Sequence, residues 1–376
     1  MVSEAVRAVT AFERLFVVGA GGVGKTTVGA GLAIATAVEL DVSVLVITVD
    51  PAKRLQSALG LDHLDLRPVR VPLEGLGAKG RLEAASIDMK RTWDGIIRRW
   101  APTDEVRDRL LASPIYEHLS SRFIGSYDYA AVEVLAEVLE GGSWDLVIVD
   151  TPPSRNALDI LDAPRRLIEF FRSALLKLLT LPRRARAFSL AARPFFVVAE
   201  AVLGSAFLED VTEFFADFAT LAEPLTERSR RLEQVLVAPE TGFAIVSTPL
   251  GPSTREADRL EAALLDRGLR VAVRIVNRCW PPEDFSPAAE QALGWLRSPE
   301  GIEVLGRELG DDGAAARVAA ELAGLYAELE GAWAARAPEG AGSLELPLTD
   351  AALTSPEALW SLIATARIRG VTSEHE

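Results

Sequence analysis

The stretch Gly19-Ala20-Gly21-Gly22-Val23-Gly24-Lys25-Thr26-Thr27 decides how this chain is read. A β-branched and aromatic run, Leu15-Phe16-Val17-Val18, precedes it, and a run of small residues from Val28 to Ala37 follows. Strand, glycine-rich turn and helix in that order form the context a phosphate-binding loop requires. The glycines let the backbone turn so that several N–H groups converge on one anion, and the N-terminus of the helix adds partial positive charge. The predicted cradle is Gly21, Gly22, Val23, Gly24, Lys25, Thr26 and Thr27. Lys25 brings a full charge to the β- and γ-phosphates, and the Thr26 hydroxyl is placed to ligate Mg²⁺. Lysine is scarce in this chain, occurring only at Lys25, Lys53, Lys79, Lys90 and Lys177, so its presence at the loop is not incidental.

Working outward, residues 43 to 49 form a second β-rich run, which ends at Asp50-Pro51-Ala52. Leu146-Val147-Ile148-Val149-Asp150 is a third, four apolar residues delivering an aspartate, the Walker B form that carries a carboxylate towards the metal. Short continuous apolar runs are what strands buried on both faces of a parallel sheet look like. Residues 82 to 87, 242 to 247 and 271 to 276 read as further strands, the last ending at Asn277-Arg278. The predicted fold class is α/β, a parallel twisted sheet flanked by helices, with ATP and Mg²⁺ as its ligands. Residues 12–376 read as a single nucleotide-binding domain behind a short tail, 1–11.

Composition narrows the classes. With 376 residues and 49% hydrophobic content, the chain can bury a large core. The lone Cys279 excludes an internal disulfide framework and a cysteine-rich metal or arsenic site within one chain. A formal charge of −14 argues against sequence-independent binding to nucleic acid. Charged residues interrupt the N-terminal segment and no run of about 18 apolar residues occurs, so a cytoplasmic protein is expected, with membrane association left open.

Between these strands the pattern is helical. Trp93, Ile96, Ile97 and Trp100 recur at helical spacing, residues 62 to 80 read as a loop, and Ser253-Thr254-Arg255-Glu256 reads as a capping box opening a helix to Arg267. Helices are expected near 287 to 297, 312 to 336 and 355 to 368. The last, with Leu359, Trp360, Leu362 and Ile363, fits either a docked terminal helix or one lying on a membrane surface. Residues 155–235 form the longest non-sheet stretch and read as a helical insertion subdomain. From Arg155 to Arg193 the insertion holds nine basic residues against Asp159, Asp162 and Glu169, which fits either a solvated face or a surface for anionic lipid or an acidic partner.

With these residues placed, the chain resembles the family of arsenite-pump and tail-anchored-protein-targeting ATPases, the ArsA-like family, and within it a bacterial anion-transporting ATPase branch. The resemblance rests on the phosphate loop, on Thr48-Val49-Asp50-Pro51-Ala52 as switch I, and on Asp150-Thr151-Pro152-Pro153-Ser154-Arg155-Asn156-Ala157-Leu158 as switch II. Leu346-Pro347-Leu348 is similar to the family's closing segment. It implies a dimeric ATPase of the MinD/ParA-like class. In it Asp50 would orient the attacking water and sit near the metal, Asp150 would hold Mg²⁺, and Asn277 with Arg278 and Pro347 would meet the adenine. It also implies a chaperone or membrane-protein-handling role for the insertion, with the catalytic subunit of an anion efflux pump and a membrane or scaffold positioning ATPase as alternatives.

This sequence departs from the family pattern at informative places. The lysine usual at the second position of the loop, which reaches the partner's nucleotide, is Ala20 here. The expected assembly is therefore a homodimer using another cation, or a heterodimer with a paralogue that carries the lysine. Met1 and Met89 are the only methionines, so the insertion cannot form a sulfur-rich client groove; its Leu, Phe, Val and Ala residues could line one or simply pack into its own core.

Overall fold

Leu15, Phe16, Val17 and Val18 are all buried, which a strand achieves only when both faces of its sheet are covered. The fold follows from that double burial. In a computed structural model of the chain, the described residues are 3–49, 53–117, 126–141, 144–151, 159–181, 193–249, 251–280, 287–335 and 343–369. They hold the strands β1 (Arg14–Val18), β2 (Ser43–Thr48), β3 (Val69–Arg70), β4 (Arg81–Ser86), β5 (Leu146–Asp150), β6 (Thr241–Ser247), β7 (Arg270–Cys279), β8 (Ser343–Pro347) and β9 (Arg367–Arg369). One sheet contains them all, in the order β3-β4-β2-β5-β1-β6-β7-β8-β9. From β4 to β8 every pairing is parallel, and only the short edge strands β3 and β9 pair antiparallel. The α/β class read from the sequence is the class observed.

Alternate residues of each strand serve opposite faces. Leu15 and Val17 join one apolar cluster with Val28 and Leu32, while Phe16 and Val18 join the other, where Phe16 stacks on Phe243 of β6 at 5.3 Å. The first face is covered by helix Lys25–Glu39, across which helix Pro356–Ala364 is laid. A Cβ added at Gly31 would stand 2.7 Å from Ile363 Cγ1, so the glycine is what lets the two helices approach. Leu359, Leu362 and Ile363 are buried there. The C-terminal helix is thus docked, and its apolar face is not free for a membrane surface.

The second face is covered by a thicker helical layer. Helices Met89–Trp100, Asp104–Ala112 and Ser126–Gly141 come from between β4 and β5, and Asp159–Arg172, Ala174–Leu179, Arg193–Leu203, Ser205–Ala219 and Ala222–Val237 from between β5 and β6. Aromatic contacts join the two groups: Trp93 stacks on Tyr129 at 5.5 Å and lies 6.4 Å from Phe218, which stacks on Phe171 at 5.5 Å. A bidentate pair of Arg109 with Asp217 (2.7 and 2.8 Å) and a buried pair of Arg228 with Glu133 (3.0 Å) cross the same boundary.

Several local expectations shift. The segment 1–11, expected as a short tail, holds helix Glu4–Val9 with Ala5, Val6 and Val9 buried, and the last helix ends at Ala364, ahead of β9. The loop at 62 to 80 contains the edge strand β3. Helix Gly251–Asp266 begins ahead of the expected capping box; Ser253 Oγ instead accepts from the Thr248 N–H and Thr254 Oγ1 donates to the Thr248 carbonyl. A helix not anticipated, Pro299–Leu309, stands between the two expected near the C-terminus.

Candidate nucleotide site

The order of the strands puts the switch point at β1, whose followers go to one side (β2) and, after β5, to the other (β6). Ligands of open α/β sheets bind at the carboxyl ends of strands beside such a point. The glycine-rich loop leaves β1 there. Gly24 is left-handed (φ 95°) and forms the N-cap of helix Lys25–Glu39, so the first free N–H groups of that helix face the loop. Gly19 has no room for a side chain, since a Cβ would meet the Val246 carbonyl oxygen at 2.1 Å.

Lys25 is buried, and its Nζ donates to the carbonyls of Gly19 (2.9 Å) and Ala20 (3.0 Å), bridging the loop from its end back to its start. Thr26 Oγ1 donates to Asp150 Oδ2 at 2.7 Å, bringing the end of the loop and the end of β5 to one point. Thr48 Oγ1 donates to the same oxygen at 3.0 Å. Asp150 is fully buried at the base of the site. Thr151 closes the arrangement, its hydroxyl donating to the Val17 carbonyl at 2.7 Å. Gly21 and Gly22 are exposed, and Thr26 and Thr27 half-buried, so the side of the loop away from the sheet is accessible.

A hydroxyl and a carboxylate converging on one point make a hard oxygen donor set. Among the described residues no group of three or more His, Cys, Asp or Glu is gathered that could hold a metal ion. That combination fits Mg²⁺, which is commonly held by one or two carboxylates together with phosphate oxygens and water. Asp50, Pro51 and Ala52, and the switch segment from Pro152 to Leu158, lie outside the described residues, so the placement of Asp50 is not part of this geometry.

On the other side of the loop, Asn277 is buried; its Nδ2 donates to the Val23 carbonyl at 2.9 Å and its Oδ1 accepts from the Arg278 N–H at 2.9 Å. A Cβ at Gly24 would come 2.3 Å from that Nδ2, so the glycine and the asparagine fit one another. The register of β7 against β8 shifts between Val276 and Cys279, and Arg278 takes a positive φ of 60° with its side chain exposed. Pro347 of β8 pairs with Cys279, so Asn277, Arg278 and Pro347 do come together at one edge. Lys53 (φ 55°) is the other described non-glycine residue at positive φ. Both mark the carboxyl-end rim of the sheet, where left-handed side chains signal a constrained backbone.

Thr48, which the sequence shows only as the first residue of the switch I motif, gains a role here through its bond to Asp150. Its signal lies in strand register, because β2 pairs with β5 so that Thr48 stands beside Asp150.

A parallel sheet with this loop at its switch point and an aspartate at the end of the neighbouring strand defines a P-loop nucleoside-triphosphatase fold. The model of the anion-transporting ATPase family matches residues 12–292, and the chain belongs to that family of ATPases. An uncharacterised protein of Streptomyces coelicolor is 29% identical over 297 residues, covering 76% of this chain and 65% of that protein. A putative arsenical pump-driving ATPase of Halobacterium salinarum is 29% identical over 162 residues, 40% of this chain and 23% of that protein. ATPase GET3B of Arabidopsis thaliana is 26% identical over 285 residues, 70% of this chain and 63% of that protein. The matched region therefore spans less than two thirds of each of these three relatives. No helix among the described residues is long and apolar enough to cross a membrane.

Proposed function

We propose that this protein binds Mg·ATP on the loop 19–27, hydrolyses it, and uses the nucleotide state to switch a dimer whose helical layer handles apolar segments of membrane proteins. The observation that carries the ATPase reading is the meeting of Thr26 and Thr48 hydroxyls on one oxygen of Asp150, beside the buried ammonium of Lys25. Phosphoryl transfer asks a protein mainly to position groups and neutralise charge, and this arrangement supplies both.

In this reading Gly21, Gly22, Val23, Gly24 and Thr27 offer backbone N–H groups to the phosphates, and Lys25 turns from the loop carbonyls to the β- and γ-oxygens. Thr26 and Asp150, with Asp50, would hold Mg²⁺, and the ion would supply charge neutralisation for the phosphates. Asp50 would also orient the attacking water. Asn277 fixes the shape of the loop, and with Arg278 and Pro347 it borders the adenine.

The client reading is supported by surface chemistry. Leu175, Val197, Val198, Val202 and Phe207, on the helices after β5, are among the exposed large apolar side chains, and an apolar partner seated there would cover them. Their aliphatic character suits an apolar helix of a membrane protein. An arsenite-driven pump subunit is not favoured, since the single thiol, Cys279, is buried.

Steady-state phosphate release with Mg·ATP tests the site. Lys25→Ala is expected to abolish turnover, and Asp50→Asn to keep nucleotide binding while slowing turnover by about 10² or more. Wild-type turnover in both variants would overturn the reading. The assembly is tested at Ala20. A trans charge contributes about 10³ or more to the rate in comparable enzymes, so the isolated chain is expected to turn over slowly, and Ala20→Lys to accelerate it with a dependence on protein concentration. Fast, concentration-independent turnover of the wild type would point instead to a self-sufficient site in one chain.

A further inference from the structure

Val44 and Val46 of β2 and Leu146 and Ile148 of β5 serve the face of the sheet that helix Lys25–Glu39 covers. Alternation along each strand puts its last residue, Thr48 or Asp150, on that same face, and the register of the two strands sets the pair side by side. Thr48 is only 1% exposed. Valine has nearly the same shape and fills the two preceding positions of this face, so what threonine adds here is its hydroxyl. A hydroxyl taken out of water is destabilising unless it is bonded, and this one donates to Asp150 Oδ2 at 3.0 Å.

The same oxygen accepts from Thr26 Oγ1 at 2.7 Å, but the two donors are held in different ways. Thr26 is half-buried in the first turn of the helix that leaves the phosphate loop, where its oxygen is placed to meet the metal. Thr48 sits in an interior strand, beside Ser86 of β4 on one side and Asp150 of β5 on the other, and its carbonyl accepts from the Ile87 N–H at 2.9 Å. Its hydroxyl is anchored by the sheet and not by the loop. A fixed donor of that kind behind a metal-binding carboxylate sets which way the carboxylate turns.

We propose that Thr48 is a positioning residue of the nucleotide site: its hydroxyl holds the Asp150 carboxylate in the orientation that receives Mg²⁺, so that the gain in nucleotide affinity given by the metal depends on it. The proposal rests on the Mg·ATP reading above, and it gives Thr48 no contact with metal or nucleotide. Removing an outer partner of a metal ligand typically costs about 10–100-fold in metal affinity, which sets the size of the effect to look for.

The test uses the full chain and mant-AMPPNP, a fluorescent, non-hydrolysable ATP analogue, so that turnover does not enter. Its Kd is measured in excess EDTA and in excess Mg²⁺, and the ratio of the two reports how strongly the metal supports binding. Wild type is expected to bind more tightly with Mg²⁺. Thr48→Val keeps the shape and removes the hydroxyl; it is expected to hold the Kd in EDTA within about twofold of wild type and to cut the ratio by about 10–100-fold. Thr48→Ser retains the hydroxyl and is expected to restore most of the ratio. If Thr48→Val is not folded, as judged by its Tm, Thr48→Cys carries the same comparison, because a thiol is only a weak donor. A wild-type ratio in the folded variant overturns the proposal. So does an equal loss of affinity with and without Mg²⁺, which would mean that the hydroxyl serves the fold alone. A wild type that does not bind the analogue, or binds it no more tightly with Mg²⁺, fails in a distinguishable way: it overturns the Mg·ATP reading itself and the proposal with it.

Discussion

On the face of the sheet that carries the phosphate loop, helix Lys25–Glu39 is buried from Val28 to Val38 and sealed by the last helix; on the opposite side, Val197, Val198, Val202 and Phe207 stand in solvent. The building materials differ in the same sense. The first face uses Gly29, Ala30, Gly31, Ala33, Ala35 and Ala37 to bring helices and strands close together, whereas the second uses stacked Trp, Tyr and Phe and a buried ion pair. Small residues in close contact leave little slack, and close-packed interiors transmit displacement rather than absorb it. Large aromatic residues and a paired charge fill a layer that leaves Leu175, Val197, Val198, Val202 and Phe207 exposed among charged side chains such as Arg165 and Glu169. A nucleotide site benefits from the first kind of packing, and a surface meant to meet an apolar partner requires the second kind to stop short of completion.

The strongest way to break this contrast is at the ion pair. Arg228 and Glu133 are 6% and 3% exposed, so Arg228→Met leaves a buried carboxylate without its counter-charge and is expected to cost about 3–5 kcal/mol. Burial already pushes the Glu133 carboxyl up from its ordinary range, even with the guanidinium beside it. Replacing both, Glu133→Leu with Arg228→Met, is expected to restore much of the loss, because two charges no longer need to be desolvated. Urea denaturation of the three proteins measures it; a double variant no more stable than Arg228→Met would show that the pair also organises neighbours that apolar residues cannot replace.

A smaller effect is expected on the loop face. Gly31→Val places a branched side chain where even a Cβ would meet Ile363 Cγ1 at 2.7 Å, and overpacking of this kind costs about 1–3 kcal/mol. Adding Ile363→Ala should relieve part of it, measured as a change in Tm. If the second substitution gives no relief, the two helices are held apart by something other than this contact.

What the sequence displayed and what it concealed follow the same division. The loop, its lysine and Asp150 at the end of β5 were legible because each is a local pattern whose chemistry constrains residue type and spacing. The contact of Thr48 with Asp150 depends on the register of β2 against β5, across 102 positions of sequence, and nothing local announces it. Helix Pro299–Leu309 did carry local signals: Ser298 caps it by accepting from the Gly301 N–H, Pro299 opens it and Gly310 closes it in a left-handed conformation (φ 70°). Those signals follow the end of helix Pro287–Leu296 by only two residues. The joining of the helices on either side of β5 into one aromatic core was invisible for the same reason as Thr48. Periodicity tells which face of a helix is apolar, but not which distant helix will cover it.

The smallest effect on stability is expected where the contrast matters most for the proposed client role. Val198 and Val202 are 63% and 75% exposed, one helical turn apart, so replacing both with serine removes little buried area. Surface substitutions of this kind usually change stability by no more than about 0.5 kcal/mol, and the urea midpoint should therefore hardly move. Capture of an apolar helix is a different matter, because a binding partner would bury what the isolated chain exposes. The measurement is the affinity of a fluorescently labelled, predominantly leucine transmembrane peptide, kept soluble by flanking polar residues, for wild type and for Val198→Ser/Val202→Ser, with ATP and with ADP. Weaker binding by the variant, together with a dependence on nucleotide in the wild type, is the expected result. If the peptide binds both proteins equally, the exposed valines have no part in client binding. If instead the variant loses several kcal/mol of stability, these side chains are core residues covered by another part of the same chain, and the two faces of the sheet are packed alike after all.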